Sequence, residues 1–452
     1  MSMTVPTRLR YLFFLLVVIT IPAWAQQDSS SPLDQLTLDA AVSLAMANNR
    51  QLKRTILEVE KAADEVAAMR TERLPHLNLT LFESELLTRL NFQFPAGTFG
   101  TFPGIGPVPA RNTDISTPLR PTTYIFQTAT QPLSQLHRIG LGIQAQEVNV
   151  ELAREALRQQ RQTVAEQVKQ NYYSILQTQS ALEAAAQVVK FYTEFGQLTD
   201  RYLAQEVVLK SDALNVKTQL AKSKYEVVKL QDGLQSQQED LNELLGRDLA
   251  TEFAVQVIPE LATYELSLAE ARRRALDQRP EIREARLKMK QAQLDVRAER
   301  ALYIPDVSLS FHYLSPLNVN FVPKNITAVG LMVDWDIFDW GRKRKELAEK
   351  AITVEQADLS QREAEQQILV EVGAHFRKLA EARSLVEVAQ LARQTEEEKL
   401  RVVMDQYRQN AVLLKDTLQQ EAAVATANAQ YREALLSFWT AKADLEKAVG
   451  EE

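Results

Sequence analysis

The sequence contains no cysteine, only four histidines among its 452 residues, and only 13 glycines. Without cysteine it has no disulfide, thiolate metal site, cysteine nucleophile or lipid-bearing N-terminal cysteine. His76, His137, His312 and His375 stand far apart, with no spacing suited to a metal site or a catalytic triad, and His137 and His312 read as interfacial or lumen residues. The net charge is −7, and losing a segment that carries Arg8 and Arg10 takes it to about −9, which disfavours a nucleic-acid partner. What is abundant is Ala, Gln, Glu, Leu and Arg, a composition of long helices more than of an enzyme core.

Long hydrophobic runs are also missing. Tyr11 to Ile21 is apolar, follows Arg8 and Arg10, and leads to Ala23-Trp24-Ala25, so residues 1–25 read as an export signal cleaved after Ala25. The run is well short of the roughly 20 apolar residues needed to span a bilayer as a helix. No later segment has 18 consecutive apolar residues, so any membrane span in the mature chain must be built from strands.

Strands are what two short segments suggest. In "ERLPHLNLTLFESELL" (72–87), Leu77, Leu79 and Leu81 alternate with polar residues after Pro75; in "ALYIPDVSLSFHYLSP" (301–316), Val307, Leu309 and Phe311 do so after Pro305. Proline lacks a donor and pushes its predecessor out of the helical region, so each marks a switch from helix to strand. The two belong to a tandem duplication. Residues 36–81 match 266–311 at an offset of 230, as in Ala41/Ala271, Leu52/Ile282 and Pro75/Pro305. Further on the offset is 204, as in Val168/Val372, Asp212/Asp416, Leu241/Leu445 and Gly246/Gly450.

The domain reading is a first repeat over 26–247, a linker over 248–265 and a second repeat over 266–452. Each runs helix, strand, loop, strand, helix, turn, helix. Strands are expected at 76–84, 123–133, 306–314 and 327–338, within strand hairpins 76–133 and 306–338. The last would place Val329, Leu331, Val333, Trp335 and Ile337 on one face. The extra residues of the first copy fall in 84–122, whose prolines, glycines, Phe92, Phe94, Phe99 and Phe102 read as a long surface loop. Gly104-Ile105-Gly106 is no dinucleotide fingerprint, because Pro107 follows and no helix opens there. Helical hairpins are expected over 138–247 and 342–450, preceded by a helix over 36–73 in the first copy. A seven-residue apolar period through Val168, Ile175, Leu182 and Val189, and through Val372, Leu379 and Val386, specifies coiled-coil packing.

Four strands with an apolar outer face cannot span a membrane alone, because an open sheet leaves edge groups unsatisfied in lipid. The smallest bacterial barrels have about eight strands, so this chain must share a barrel with copies of itself. Trp335 and Trp340 would sit at the membrane interface, or simply pack. The order and double occurrence of "LTLDAAVSLAMANN" and "LSLAEARRRALDQRPEI", "RLPHLNL" and "YIPDVSL", with "VDWDIFDWGRKR" and the stretch from Tyr407 to Gly450, resemble the TolC family of outer-membrane efflux proteins. The resemblance covers nearly the whole mature chain. It implies a homotrimer with a twelve-stranded barrel in the outer membrane, continuing into a long α-helical coiled-coil tunnel in the periplasm. It also implies docking on a periplasmic adaptor and, through it, an inner-membrane pump, as the outer part of a tripartite efflux or type I secretion system exporting small molecules or proteins.

No constellation points to catalysis or to a cofactor. Asp334 and Asp336 alternate opposite an apolar strand face, which a barrel lumen explains better than hydrolysis. In the resembled family, carboxylates near the second helical turn narrow the periplasmic entrance. Asp416 falls on the first of the two expected positions, Gln419 occupies the second, and Asp212 is the first repeat's counterpart of Asp416. The alternative role for such an Asp is to stabilise the first turn of a helix. The turns near Gln205-Glu206 and Asn410-Ala411 are followed by Val208-Leu209 and Val412-Leu413, apolar pairs expected to be exposed and to contact the adaptor, or else to close the turn. The other reading of the chain is a soluble periplasmic coiled-coil adaptor, which leaves two isolated bilayer-length strand pairs unexplained.

Overall fold

The computed structural model describes residues 35–117, 119–256, 266–319, 323–409 and 411–451. The expected export signal, residues 257–265 of the linker and Asn410 of the second tip lie outside them. The first repeat comprises β1 (Gln35–Leu36), α1 (Leu38–Asn48), α2 (Arg50–Thr71), β2 (His76–Glu85), β3 (Asn91–Phe94), β4 (Thr101–Phe102), β5 (Gly106–Pro107), β6 (Thr113–Ser116), β7 (Pro121–Pro132), α3 (Leu136–Ala204) and α4 (Lys210–Leu244). Then follow β8 (Ala254–Val255), α5 (Leu268–Gln278), α6 (Pro280–Ala301), β9 (Asp306–Leu317), β10 (Ile326–Asp334), α7 (Arg342–Arg408) and α8 (Leu414–Val449).

The four long strands form one antiparallel sheet in the order β10-β9-β7-β2. They have 10, 12, 12 and 9 residues in chain order, the length a tilted strand needs to cross a bilayer. Leu77, Leu79 and Leu81 on β2 and Val329, Leu331 and Val333 on β10 are all exposed. At the base of the sheet the second proline switch is locked to the passage from β7 into α3. The Ser134 hydroxyl donates to the Pro305 carbonyl at 2.7 Å and accepts from the Val307 N–H at 2.7 Å, while Arg138 grips Asp306 through two bonds of 3.1 and 2.9 Å.

The last strand is shorter than the expected 327–338. Its final register pair is Asp334 with Asp306, the first residue of β9, so beyond Asp334 no partner strand remains. Trp335, Asp336 and Ile337 leave the sheet, and Asp336 meets Arg342 and Lys343 at 3.6 Å each. Asp339 then starts α7, accepting the N–H groups of Gly341 at 3.0 Å and Lys343 at 3.1 Å. Those bonds, that to Lys343 first, hold its carboxyl below the usual range. The segment 84–122 is not a featureless loop: β3 pairs with β6 and β4 with β5 inside it.

The long helices carry the core. α3 has 69 residues and α7 has 67, so each is about 100 Å long. Two clusters repeat each other about halfway along the long helices: Ala41, Leu52, Val168, Ile175 and Leu241 in one, and Ala271, Ile282, Val372, Leu379 and Leu445 in the other. Tyr172 ties the first cluster to the small β1–β8 pair. Its hydroxyl lies 2.8 Å from the Leu36 carbonyl and 2.9 Å from that of Gln256, and accepts the Gln256 N–H at 2.9 Å.

The expected single helix over 36–73 is two helices, broken at Asn49. The Asn49 side-chain oxygen caps α2 by accepting from Gln51 and Leu52, and its amide donates to the Leu244 carbonyl at 2.9 Å. In the second repeat the matched residue is Arg279, ahead of Pro280, and it donates to the Ala448 carbonyl, the counterpart of Leu244. Arg279 is buried and held by Glu281 at 2.8 Å and Glu371 at 3.0 Å. Burial alone would lower its pKa; the two carboxylates outweigh that and raise it. Gly246 and Gly450, with φ of +68° and +91°, end the two hairpins against these breaks. A Cβ on Gly246 would run into the Asn48 carbonyl, and one on Gly450 would crowd Gln278.

Candidate functional site

At the far end of the helical layer both hairpin turns are built alike. α3 closes with the Gln205 N–H on the Arg201 carbonyl and the Val207 N–H on that of Tyr202; α7 closes with Gln409 on Asp405 and Ala411 on Gln406. In the first turn Glu206 adopts a left-handed φ of +61°. Leu209 and Leu413 then stand in extended backbone as the caps of α4 and α8.

Asp212 and Asp416 each occupy the third position of their helix and accept the N–H of the capping leucine, at 3.3 Å from Leu209 and 3.0 Å from Leu413. Each stabilises a first turn where the helix dipole favours an anion. They belong to separate hairpins, and among the described residues no hydrogen bond or ion pair joins them. Gln419 is exposed one turn further along α8.

The apolar tips differ from expectation. Leu209 and Leu413 are exposed, but Val208 and Val412 are half-buried, and Val412 packs on the aromatic cluster between the hairpins. The turn geometry instead exposes Val207, one residue earlier. The cluster itself was not singled out from sequence. It joins Tyr192 and Phe195 of α3, Val216 of α4 and Tyr407 of α7, with Phe195 and Tyr407 rings 5.5 Å apart. The signal in the sequence is Phe195 and Tyr202, seven residues apart before the first turn, with Tyr407 before the second. Tyr407 is buried and its hydroxyl has no hydrogen-bond partner among the described residues. Burial first, then the nearby Tyr202 and Asp212, push its phenol up.

At the opposite end Trp335 and Trp340 are 55% and 87% exposed, just beyond the last strand. Trp340 takes a left-handed φ of +53° and meets Phe338 edge-on at 5.0 Å between centroids. Among the described residues no group of three His, Asp or Glu side chains is placed to hold a metal, and no helix is long and apolar enough to cross a membrane. His375 lies 3.9 Å from Asp444 alone.

A family model described as outer membrane efflux protein matches residues 41–247 and 271–451, most of both repeats. A search of curated proteins finds no match. Among solved structures the chain is similar to CusC, at 18% identity and TM-score 0.76, covering 93% of each chain. It is also similar to the Campylobacter jejuni outer membrane channel CmeC, at 15% identity and TM-score 0.75, covering 91% of this chain and 85% of that one. The open state of the Neisseria gonorrhoeae outer membrane channel MtrE aligns at 18% identity and TM-score 0.70, over 92% of this chain and 89% of that one. At these identities the likeness is one of fold.

Proposed function

The chain belongs to the outer membrane efflux protein family, and from that premise we propose that three copies close one twelve-stranded barrel in the outer membrane and one helical tunnel below it. The protein is the outer-membrane channel of an export system, with its helices in the periplasm. One observation carries the shared barrel: the four-stranded sheet is open at both edges, β2 and β10, although its strands have bilayer length and exposed apolar faces. In lipid those edge groups must pair. Because the sheet holds an even number of antiparallel strands, its two edges run in opposite directions, and β10 of one copy can add antiparallel to β2 of the next.

In this reading the tips with Leu209, Leu413 and the half-buried Val208 and Val412 meet a periplasmic adaptor, which connects the tunnel to an inner-membrane pump. Asp416 narrows the entrance, with Asp212 and the uncharged Gln419 contributing less. Trp335 and Trp340 mark the periplasmic membrane interface. The absence of cysteine makes the barrel directly testable. A cysteine at Leu79 on β2, paired in turn with one at Val329, Leu331 or Val333 on β10, should in one register form disulfides between chains. The product should be a covalent species that stops at three chains on a non-reducing gel. A ladder running past three, or no interchain bond in any register, contradicts the closed trimer.

A further inference from the structure

In the tip-side part of α8 the buried residues are Thr417, Glu421, Val424, Ala427 and Ala434, a coiled-coil seam with one acid in it. Glu421 is 6% exposed, and one of its carboxylate oxygens is enclosed with no hydrogen-bond partner among the described residues. Buried carboxylates are ordinarily paired or hydrogen-bonded. The duplication shows that the hairpin does not require an acid there: the matched residue of the first repeat is Lys217, exposed and paired with Asp200 at 3.0 Å. Thr417, Val424 and Arg432 likewise match Ala213, Leu220 and Val228.

Glu421 lines a cavity of about 750 Å³ formed by α3, α4 and α8, with Leu400 of α7 at its margin. Its walls are mostly apolar, including Val188, Phe191, Leu230 and Val424. The other charged groups facing it are differently placed. Lys222 is exposed to solvent, Glu226 is engaged by Lys229 at 3.4 Å, and Arg432 is half-buried about 16 Å further along α8. Burial, and after it the Glu421 charge, push the phenol of Tyr192 on α3 up.

We propose that this cavity binds an organic monocation with a compact apolar or aromatic body, its ammonium group against Glu421 and its body along Phe191, Val188 and Val424. The ammonium supplies the countercharge that the carboxylate lacks, and the apolar walls take the remainder from water. Arg432 limits the occupant's length and disfavours a second positive charge at the far end. Burial pushes the Glu421 carboxyl up, so binding the cation restores its ionised form and releases a proton. All four helices belong to one chain, and the test needs neither export nor a partner protein.

The test is calorimetric titration of the purified full-length protein in detergent with naphthylmethylammonium, naphthylmethanol and naphthylacetate, probes of similar shape and different charge. The cation should bind about tenfold or more tighter than the alcohol, and the acetate weakest of the three. Glu421→Gln should bring the cation down to the alcohol's level while leaving the alcohol unchanged, and Lys217→Gln should change neither. Ala425→Phe, which fills the cavity, should weaken cation and alcohol alike, and it serves if Glu421→Gln does not fold. Equal affinity of the wild type for cation and alcohol, no measurable cation binding, a Glu421→Gln protein that keeps the preference, or an Ala425→Phe protein that binds as before would each overturn the proposal.

Discussion

Replacing Asp416 separates its two possible contributions, because the duplication supplies an internal control. The carboxylate accepts the Leu413 N–H at 3.0 Å, so Asp416→Ala removes a helix cap and should loosen the start of α8 by about 0.5–2 kcal/mol. Near 1 kcal/mol that is roughly a fivefold shift in the local closing equilibrium, enough to register as longer or wider openings. Asp212→Ala removes the matching, slightly longer bond of 3.3 Å in the other hairpin, so a purely mechanical effect should appear in both variants. Asp416→Asn keeps an acceptor for the cap and deletes the charge. If Asp416 narrows the entrance as a ring of three carboxylates, single-channel recordings in planar bilayers should show higher conductance for Asp416→Ala. Asp416→Asn should show weaker preference for cations over anions, and Asp212→Ala should stay near wild type. Unchanged conductance and ion preference in both Asp416 variants, or an equal response from Asp212→Ala, would refute the gate assignment.

Tyr172→Phe should destabilise the protein by about 1–3 kcal/mol in denaturant unfolding, since the hydroxyl holds the Gln256 N–H and a carbonyl in a buried site; a change below about 0.5 kcal/mol would contradict that role. Gly246→Ala combines a left-handed backbone with a clash on the Asn48 carbonyl, and thermal unfolding should show a loss of about 2–5 kcal/mol; a neutral result would mean the hairpin end shifts freely. Glu421 has its carboxyl pKa raised by burial, so the folded protein holds that proton more tightly than the unfolded chain. Its contribution is fully present below the unfolded value of about 4.3 and is lost as pH rises through the folded value. Unfolding temperatures of Glu421→Gln should accordingly equal or exceed the wild type at pH 7 and fall behind it only in acid; the reverse order would show that the ionised carboxylate is satisfied.

Much of the architecture was written in local patterns. Alternation after Pro75 and Pro305 located two membrane strands, and the constant offsets between Leu52 and Ile282 and between Val168 and Val372 exposed the duplication. The misses have a shared cause, which is that long-range partners override local pattern. Trp335 and Ile337 continue the alternation of β10, yet the strand stops where β9 has no residue left to pair. Asn49 interrupts a helical stretch with neither Pro nor Gly. Its break is set by a bond to Leu244 nearly two hundred residues away, although Pro280 after Arg279 was a visible hint in the second copy. The short pairs β3–β6 and β4–β5 have too few residues to show a period. Val412 reads like its exposed leucine neighbour until the aromatic cluster that half covers it is in place. Nothing in the sequence around Glu421 marks it off from the other charges of α8; its partnerless burial emerges only when the helices pack.

The central claim is that this chain completes its barrel only with copies of itself. The most direct measurement is the mass and shape of the full-length protein extracted from outer membranes in detergent, by light scattering and electron microscopy. Three copies in an elongated particle well over about 100 Å long are the expected result. A soluble monomer or dimer in the periplasmic fraction would contradict it and leave the exposed faces of β2 and β10 without a membrane to enter.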